Sequence, residues 1–304
     1  MRFRFTLAVW GDWHLRQLEA HGVPSLRAPG NLGAVDYHIS AHTRPADRER
    51  LAAALAGLKA DIKTPLPDDM RGDRHAANPA VLRFKADDHA AAAAAGEAWV
   101  LLSPDMVWGE GTLAHHRRAF EGGKTVVYRP LLWVDAERAG TIRDFRRRSL
   151  ARVALEHEHA IARDYFRADG RWFSSHVEMI IWQAPGGLLN KTITAEVQTC
   201  VASGPLTPTG LATEADEGKM EIVGDSDDAI ALAMAPPGKD FSTWLTREPL
   251  TPGLVRQFTG WYPSPASEKI ARHSYRLHAD DIDLSEWAEV ERRADAFVDE
   301  VFRS

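Results

Sequence analysis

Residues 99–128 (WVLLSPDMVWGEGTLAHHRRAFEGGKTVVY) constrain the fold more than any other stretch of the chain. Trp99, Val100, Leu101 and Leu102 are continuously apolar, the pattern of a parallel strand covered on both faces. Ser103, Pro104 and Asp105 end it, because proline cannot donate to a ladder and aspartate favours turns. Residues 112–120 then read as a helix, Gly122 and Gly123 as its stop signal, and residues 124–128 as a second strand. A carboxylate leaving the carboxyl end of a buried parallel strand lies where open α/β sheets bind ligands. Asp105 is therefore the first residue to explain.

The segments before it show the same alternation. Residues 4–9, 36–41 and 60–64 read as strands, and residues 12–21 and 48–58 as helices, the first with Asp12 as its N-cap. Residues 65–79 form a polar loop, and the alanine run of 80–96 makes a helix on propensity alone. This order predicts an α/β fold, a mainly parallel sheet with helices on both faces. Residues 136–166 carry the longest helical pattern. From Trp172 the texture becomes β-rich, with strands expected at 177–182, 192–201 and 229–233 and a final helix over 284–302. No repeat or low-complexity linker divides the 304 residues, so they read as a single domain.

The charge balance removes several function classes. With 37 Lys and Arg against 43 Asp and Glu, the net charge of −6 argues against nucleic acid as a partner. One cysteine, Cys200, excludes an intrachain disulfide and a cysteine-rich zinc site. No apolar run reaches the roughly 20 residues of a membrane span, and the N-terminus lacks a signal-peptide pattern. A cytoplasmic enzyme is the expectation. There is also no glycine-rich phosphate fingerprint of a kinase or dinucleotide enzyme.

The strand ending in Ser103-Pro104-Asp105, the following Met106-Val107-Trp108-Gly109-Glu110-Gly111-Thr112-Leu113 and the strand 124–128 resemble a GT-A-type glycosyltransferase. The resemblance covers residues 4–128 in element order and the β-rich remainder more loosely. It implies a Rossmann-like half over 1–135 for a nucleotide-sugar donor and a half over 136–304 for a glycan or small-molecule acceptor. In that family an Asp-any-Asp motif holds a divalent metal against the donor diphosphate. Here Asp105 fits the final aspartate, while Ser103 stands where the first would be. Mn²⁺ or Mg²⁺ on Asp105 is one way to stabilise the leaving diphosphate; a metal-independent site relying on basic residues is the other.

Further candidates follow from position. Trp10 and Asp12 end the first strand, where an indole can stack on a base and a carboxylate can bind a ribose; equally, Trp10 is core and Asp12 a helix cap. Thr43 and Arg44 end the second strand, with Arg44 a phosphate candidate. Lys85 lies on the helix feeding the central strand, where an exposed helix face is the commoner explanation. Glu178 shares a strand face with His176 and suits a general base, as does Asp225 in the acidic turn Gly224-Asp225-Ser226-Asp227-Asp228. Lys269 and His273, spaced i, i+4, would reach a diphosphate by analogy with the family's closing loop. Arg143, Arg146, Arg147, Arg148 and Arg152 form the one strong basic cluster, most simply a solvated face paired with acids. Glu156-His157-Glu158-His159 lacks the i, i+4 histidines of a helical zinc site and is rejected as one. Two rival functions remain: a non-catalytic sugar- or glycan-binding relative, for which ten tryptophans offer stacking faces, and a nucleotidyltransferase, which should carry a basic glycine-rich N-terminal loop that residues 4–12 lack.

Overall fold

A computed structural model of the chain describes residues 1–70, 79–157, 171–174, 179–193, 200–202, 219–236, 251–259 and 267–303. Strands β1 (Arg2–Ala8), β2 (Asp36–His42), β3 (Ala60–Lys63) and β4 (Ala98–Leu102) pair in parallel, with β1 between β2 and β4. Short strands β5 (Met106–Trp108), β6 (Val126–Tyr128) and β7 (Leu132–Asp135) follow. In the second half lie β8 (Arg171–Ser174), β9 (Met179–Ala184), β10 (Gly187–Thr192), β11 (Cys200–Ala202), β12 (Met220–Ile222), β13 (Ala231–Ala235) and β14 (Tyr275–His278). The main sheet has the order β12-β6-β11-β4-β1-β2-β3, so strands from after residue 136 complete a sheet begun before it. A four-stranded antiparallel sheet, β14-β10-β9-β8, and a three-stranded sheet, β5-β13-β7, complete the β structure. The fold is the expected α/β architecture, with a parallel core, flanking helices and a β-rich second half.

The continuous apolarity of β4 has a direct cause. All five of its residues are buried, and the two faces meet different partners. Ala98, Val100 and Leu102 enter the main core with Phe3, Phe5 and Leu7 of β1. Trp99 and Leu101 face the other way, against Ala92 of the alanine-rich helix. On the main-core side the chain after β1 forms α1 (Asp12–Gln17), a π-helical turn over Leu18–Gly22 and α2 (Val23–Arg27), burying Leu15, Leu18, Val23 and Leu26. Gly22 lets this helix rest on the turn after β4: a Cβ there would sit 3.2 Å from the carbonyl oxygen of Pro104. The helix thus braces the turn that carries Asp105.

Helix α3 (Arg48–Ala54) follows β2, and α4 (Pro79–Ala95) precedes β4. Its buried stripe is Val81, Phe84, Asp88 and Ala92, a helical spacing with one carboxylate in it. Asp88 is tolerated there because the sheet beneath supplies donors. The hydroxyls of Thr6 and Ser40 donate to it at 3.0 and 3.1 Å, and His42 Nε2 lies 3.0 Å away. Phe84 stacks on the His42 ring at 4.0 Å. Burial alone would raise the Asp88 pKa; the hydrogen bonds from His42, Thr6 and Ser40 outweigh it and hold the carboxyl below its ordinary value.

Helix α5 (Thr112–Glu121) follows β5, and α6 (Ala136–Ala139) and α7 (Arg147–His157) follow β7. The helical pattern over 136–166 is thus broken, with Gly140 at φ 58 between the two helices; residues 158–166 lie outside the described residues. The single strand expected over 192–201 is instead β10, ending at Thr192, and β11, starting at Cys200. Strands β5 and β7 were not anticipated, since three or four residues are too few for a periodicity to show. Near the C-terminus come α8 (Pro252–Thr259), α9 (Ser267–Arg272) and α10 (Leu284–Phe302). Helix α10 begins on an Asp283 cap and buries Trp287, Val290, Ala294, Phe297, Val298 and Val301, covering the antiparallel sheet at Ile180, Trp182 and Leu189. Among the described residues no helix is long and apolar enough to cross a membrane.

Candidate functional site

Two places gather the chemistry-bearing residues. The first is the carboxyl ends of β1, β2 and β4, which the parallel pairing aligns. Asp105 leaves β4 there and is 6% exposed. The Ser103 hydroxyl donates to its carboxylate, so the serine in the first motif position orients the aspartate in the last. The backbone is fixed as well, since Met234 of β13 donates its N–H to the Asp105 carbonyl at 2.9 Å.

The neighbouring candidates are largely engaged by the fold. Trp10 is 3% exposed and packs with Ala8, Leu66, Met70, Val81 and Phe84. Asp12, in the first turn of α1, is exposed and pairs with Arg16 and, at 2.6 Å, with Arg50. Arg44 binds Asp47 at 2.7 Å and donates to the Met70 carbonyl at 3.2 Å, tying the loop after β3 to the end of β2. Asp47 also accepts from Gly11 N–H at 3.0 Å, so one carboxylate joins the ends of β1 and β2. Desolvation would raise Asp47, but the Arg44 and Gly11 hydrogen bonds leave its pKa below the ordinary value.

Two further polar groups show no partner among the described residues. The hydroxyl of Thr43, fully buried at the end of β2, has no hydrogen-bond partner among the described residues. Lys85 is half-buried on α4, next to the Phe84 that covers His42, and no ion pair or hydrogen bond to it is seen among the described residues. Burial lowers its pKa.

The second place is built by β14, α7 and the turn 224–228. Arg276 N–H donates to the Gly224 carbonyl and Ser226 N–H to the Arg276 carbonyl, both at 2.9 Å, which lays the turn along β14. Asp225 then meets His278: Nε2 lies 2.9 Å from Oδ1, while Nδ1 lies 2.8 Å from the Asp280 carbonyl oxygen. Asp227 N–H donates to the same Asp225 oxygen at 2.9 Å. Arg148 on α7 pairs with Asp227 and Asp281 at 2.8 and 2.7 Å, and Arg152 with Asp280 at 2.9 Å. The Arg148 hydrogen bond lowers the Asp227 pKa.

Beside this cluster opens a cavity of about 840 Å³, with Arg147, Arg148, Arg152, Asp227 and the backbone of Gly30 and Gly111 in its walls. The two glycines are required by close approach: at φ +74, a Cβ on Gly30 would stand 2.7 Å from the Gly111 Cα. Arg147 donates to the Glu110 carbonyl at 2.8 Å, and among the described residues no carboxylate pairs with it.

The remaining candidates are dispersed. Lys269 lies on α9, which packs on β10 and α10, and His273 follows that helix at the surface. Glu178, with His176, and residues 158–159 of the rejected zinc pattern lie outside the described residues. Of the basic cluster, Arg146 is paired with Asp144 at the start of α7, as a solvated face predicts. The sequence pointed to Asp225 but not to its partner His278, because the 53 residues separating them close only when β14 forms.

Metal binding can be tested on the donor sets. Among the described residues one group of three or more His, Cys, Asp or Glu side chains has converging donor atoms: Asp225, Asp227 and His278, within 4.8 Å of one another. Asp105 is not in it; among the described residues its carboxylate accepts from the Ser103 hydroxyl.

No protein-family model matches the sequence, and no curated protein matches it either. Among solved structures, the chain is similar to S. aureus TarS 1–349 in complex with UDP-GlcNAc, with 10% identity and a TM-score of 0.39 over 99% of this chain and 71% of that one. Mouse xyloside xylosyltransferase 1 in its apo form matches over 43% of this chain and 53% of its own, at 11% identity and a TM-score of 0.29. A putative glucose-1-phosphate thymidylyltransferase from Bacillus anthracis, in complex with a sucrose, matches over 43% and 55%, at 9% identity and a TM-score of 0.27. The chain thus spans about half the length of the last two. At these values the likenesses carry no argument about activity.

Proposed function

We propose that the chain is a GT-A-type glycosyltransferase that transfers a sugar from a nucleotide donor to a glycan or small-molecule acceptor. The observation that carries this reading is Asp105, a buried carboxylate at the carboxyl end of the central parallel strand, oriented by Ser103 and held by β13. Residues 1–135 hold the donor in this reading and residues 136–304 the acceptor. Thr43 and Lys85 support it, as a buried hydroxyl at the end of β2 and a half-buried amine on α4 for which no partner is seen among the described residues, and each has capacity left for a donor's ribose or phosphates. Asp105 positions the donor, and positive charge from Lys85 neutralises the leaving diphosphate. Glu178 remains the candidate base.

A second reading is favoured by a specific observation. Trp10, Asp12 and Arg44 are already committed to core packing and ion pairs, which leaves few groups for transfer chemistry and suits a non-catalytic sugar- or glycan-binding relative. Incubation with a panel of UDP-, GDP- and dTDP-sugars, read as nucleoside diphosphate release, separates the two. The transferase reading expects slow release from one donor by the wild type and at least about a tenfold loss in Asp105→Asn. Donor or glycan binding with no release by the wild type would establish the binding reading instead.

A further inference from the structure

The cavity beside α7 holds a cation that the fold positions but does not neutralise. Glu110 N–H donates to the Phe145 carbonyl at 2.8 Å, which fastens residues 109–111 to the chain just before α7. Arg147 then lies along them, half-buried, with Nη1 donating to the Glu110 carbonyl at 2.8 Å. The two glycines flanking Glu110 make room for it. A Cβ on Gly109 would stand 3.1 Å from the Arg147 Cγ, and one on Gly111, at φ +75, would stand 2.8 Å from its Nη1. A guanidinium carries five N–H groups in a fixed fork, and the Glu110 carbonyl engages one edge of it. No carboxylate and no second hydrogen-bond acceptor for Arg147 is seen among the described residues.

The facing wall is charged but balanced. Arg148 is bound by Asp227 and Asp281, and Arg152 by Asp280, so these pairs add little net charge. Each carboxylate has about four lone-pair sites, more than its guanidinium partner uses, and Asp227 and Asp280 line the space. Among the described residues the only apolar side chains in the wall are Pro29 and Ala279. A lining of this kind suits a ligand covered in hydroxyl groups and carrying an anionic group, not an apolar one. The volume of about 840 Å³ lies within the roughly 300–1,000 Å³ of small-molecule sites.

We propose that this cavity binds a hydroxylated organic anion of the sugar-phosphate class, with the Arg147 fork on the phosphate and the Asp227 and Asp280 carboxylates accepting from hydroxyls. Arginine pairs with phosphate through parallel N–H bonds, and a fork held along one edge by a backbone carbonyl is oriented for that pairing before the ligand arrives. The two carboxylates tolerate an anion nearby because Arg148 and Arg152 offset their charge. Inorganic phosphate would engage Arg147 and leave the acceptors unused. A neutral sugar would engage the acceptors and leave the Arg147 charge unanswered. Both parts of the ligand are therefore needed for tight binding. Among the described residues the cavity shares none with the strand-end carboxylate Asp105, and the site does not depend on the glycosyltransferase reading.

The test is calorimetric titration of the 304-residue chain with glucose 1-phosphate, glucose 6-phosphate and ribose 5-phosphate, and with inorganic phosphate and glucose for comparison. The wild type is expected to bind one equivalent of at least one sugar phosphate, at least tenfold more tightly than phosphate or glucose. Arg147→Met should weaken that binding at least tenfold. Arg147→Lys, which keeps the charge and the fit between the glycines but loses the fork, should weaken it several-fold; circular dichroism checks that each variant is folded. Asp105→Asn should leave it unchanged. Absence of binding by all three sugar phosphates overturns the site, as does inorganic phosphate binding equally well. Wild-type affinity in folded Arg147→Met or Arg147→Lys overturns it too. Binding that is lost in Asp105→Asn places the probe at the strand ends and overturns it as well.

Discussion

The strand ends around Asp105 and the corner around His278 use similar residue types to opposite ends. At the strand ends, charged groups are answered from within: Asp47 by Arg44 and Gly11, and Asp12 by Arg50; on the α4 face of the same strands, Asp88 is answered by Thr6, Ser40 and His42. At the corner, His278 Nε2 meets Asp225 Oδ1 at 2.9 Å beside a cavity, and among the described residues no carboxylate pairs with Arg147. A polar group matched by the fold is part of the scaffold; one left in excess is available to a ligand. Thr43, whose buried hydroxyl has no partner among the described residues, is the strand-end residue to which that second description extends.

The comparison can be broken by removing what each region is said to need. The largest effect is expected from Asp88→Ala. It leaves two buried hydroxyls and an imidazole without their acceptor, and should destabilise the protein by about 2–4 kcal/mol in a urea melt. A loss under about 1 kcal/mol would mean that this network is not part of the scaffold. Next comes Gly30→Ala at the cavity. It combines a left-handed backbone with a Cβ 2.7 Å from Gly111 and should cost about 2 kcal/mol or more. A neutral result would show that the cavity floor is not a close contact.

Arg44→Met should be milder, about 1–2 kcal/mol, because it removes a part-buried charged hydrogen bond but leaves the strands paired. If donor binding falls while stability holds, Arg44 belongs with the ligand and the division between the regions moves. The smallest effect is acid sensitivity. Desolvation is the first cause of the lowered pKa of His21, His115 and His116; for His116 the charges of Arg129 and His115 add to it. A histidine lowered in the fold binds its proton more readily when unfolded, so stability is complete above the ordinary value of 6.5 and falls as the pH drops below it. The expected loss is on the order of 1 kcal/mol from pH 6.5 to 5.5, and His116→Gln should remove much of that slope in pH-dependent melts.

Much of the scaffold was legible in the sequence because it rests on local signals. The apolar run of β4, the alanines of α4 and the stripe and Asp283 cap of α10 each declare their element within a few turns of chain. What escaped was non-local. Strands β5, β7, β11 and β12 are three or four residues long and exist through partners far along the chain, as when Val201 pairs with Val100 and with Val127. The candidate site divides the same way. Asp105 could be found from the strand that delivers it. Asp225 and His278 needed the register of β14, and whether Trp10 and Asp12 face a ligand or the fold depends on neighbours such as Leu66 and Arg50. One local sign was overlooked: an aspartate at position 88, inside the buried stripe of a helix, announces polar partners in the sheet beneath.

The central claim is that Asp105 marks a nucleotide-sugar site, and calorimetric titration of nucleoside diphosphates into wild type and Asp105→Asn, each with and without Mn²⁺, tests it most directly. The account predicts that one diphosphate binds the wild type and that Asp105→Asn, folded by circular dichroism, binds it at least about tenfold more weakly, a difference of about 1.4 kcal/mol. Equal affinity in the two proteins, or no binding of any nucleoside diphosphate by the wild type, would contradict it.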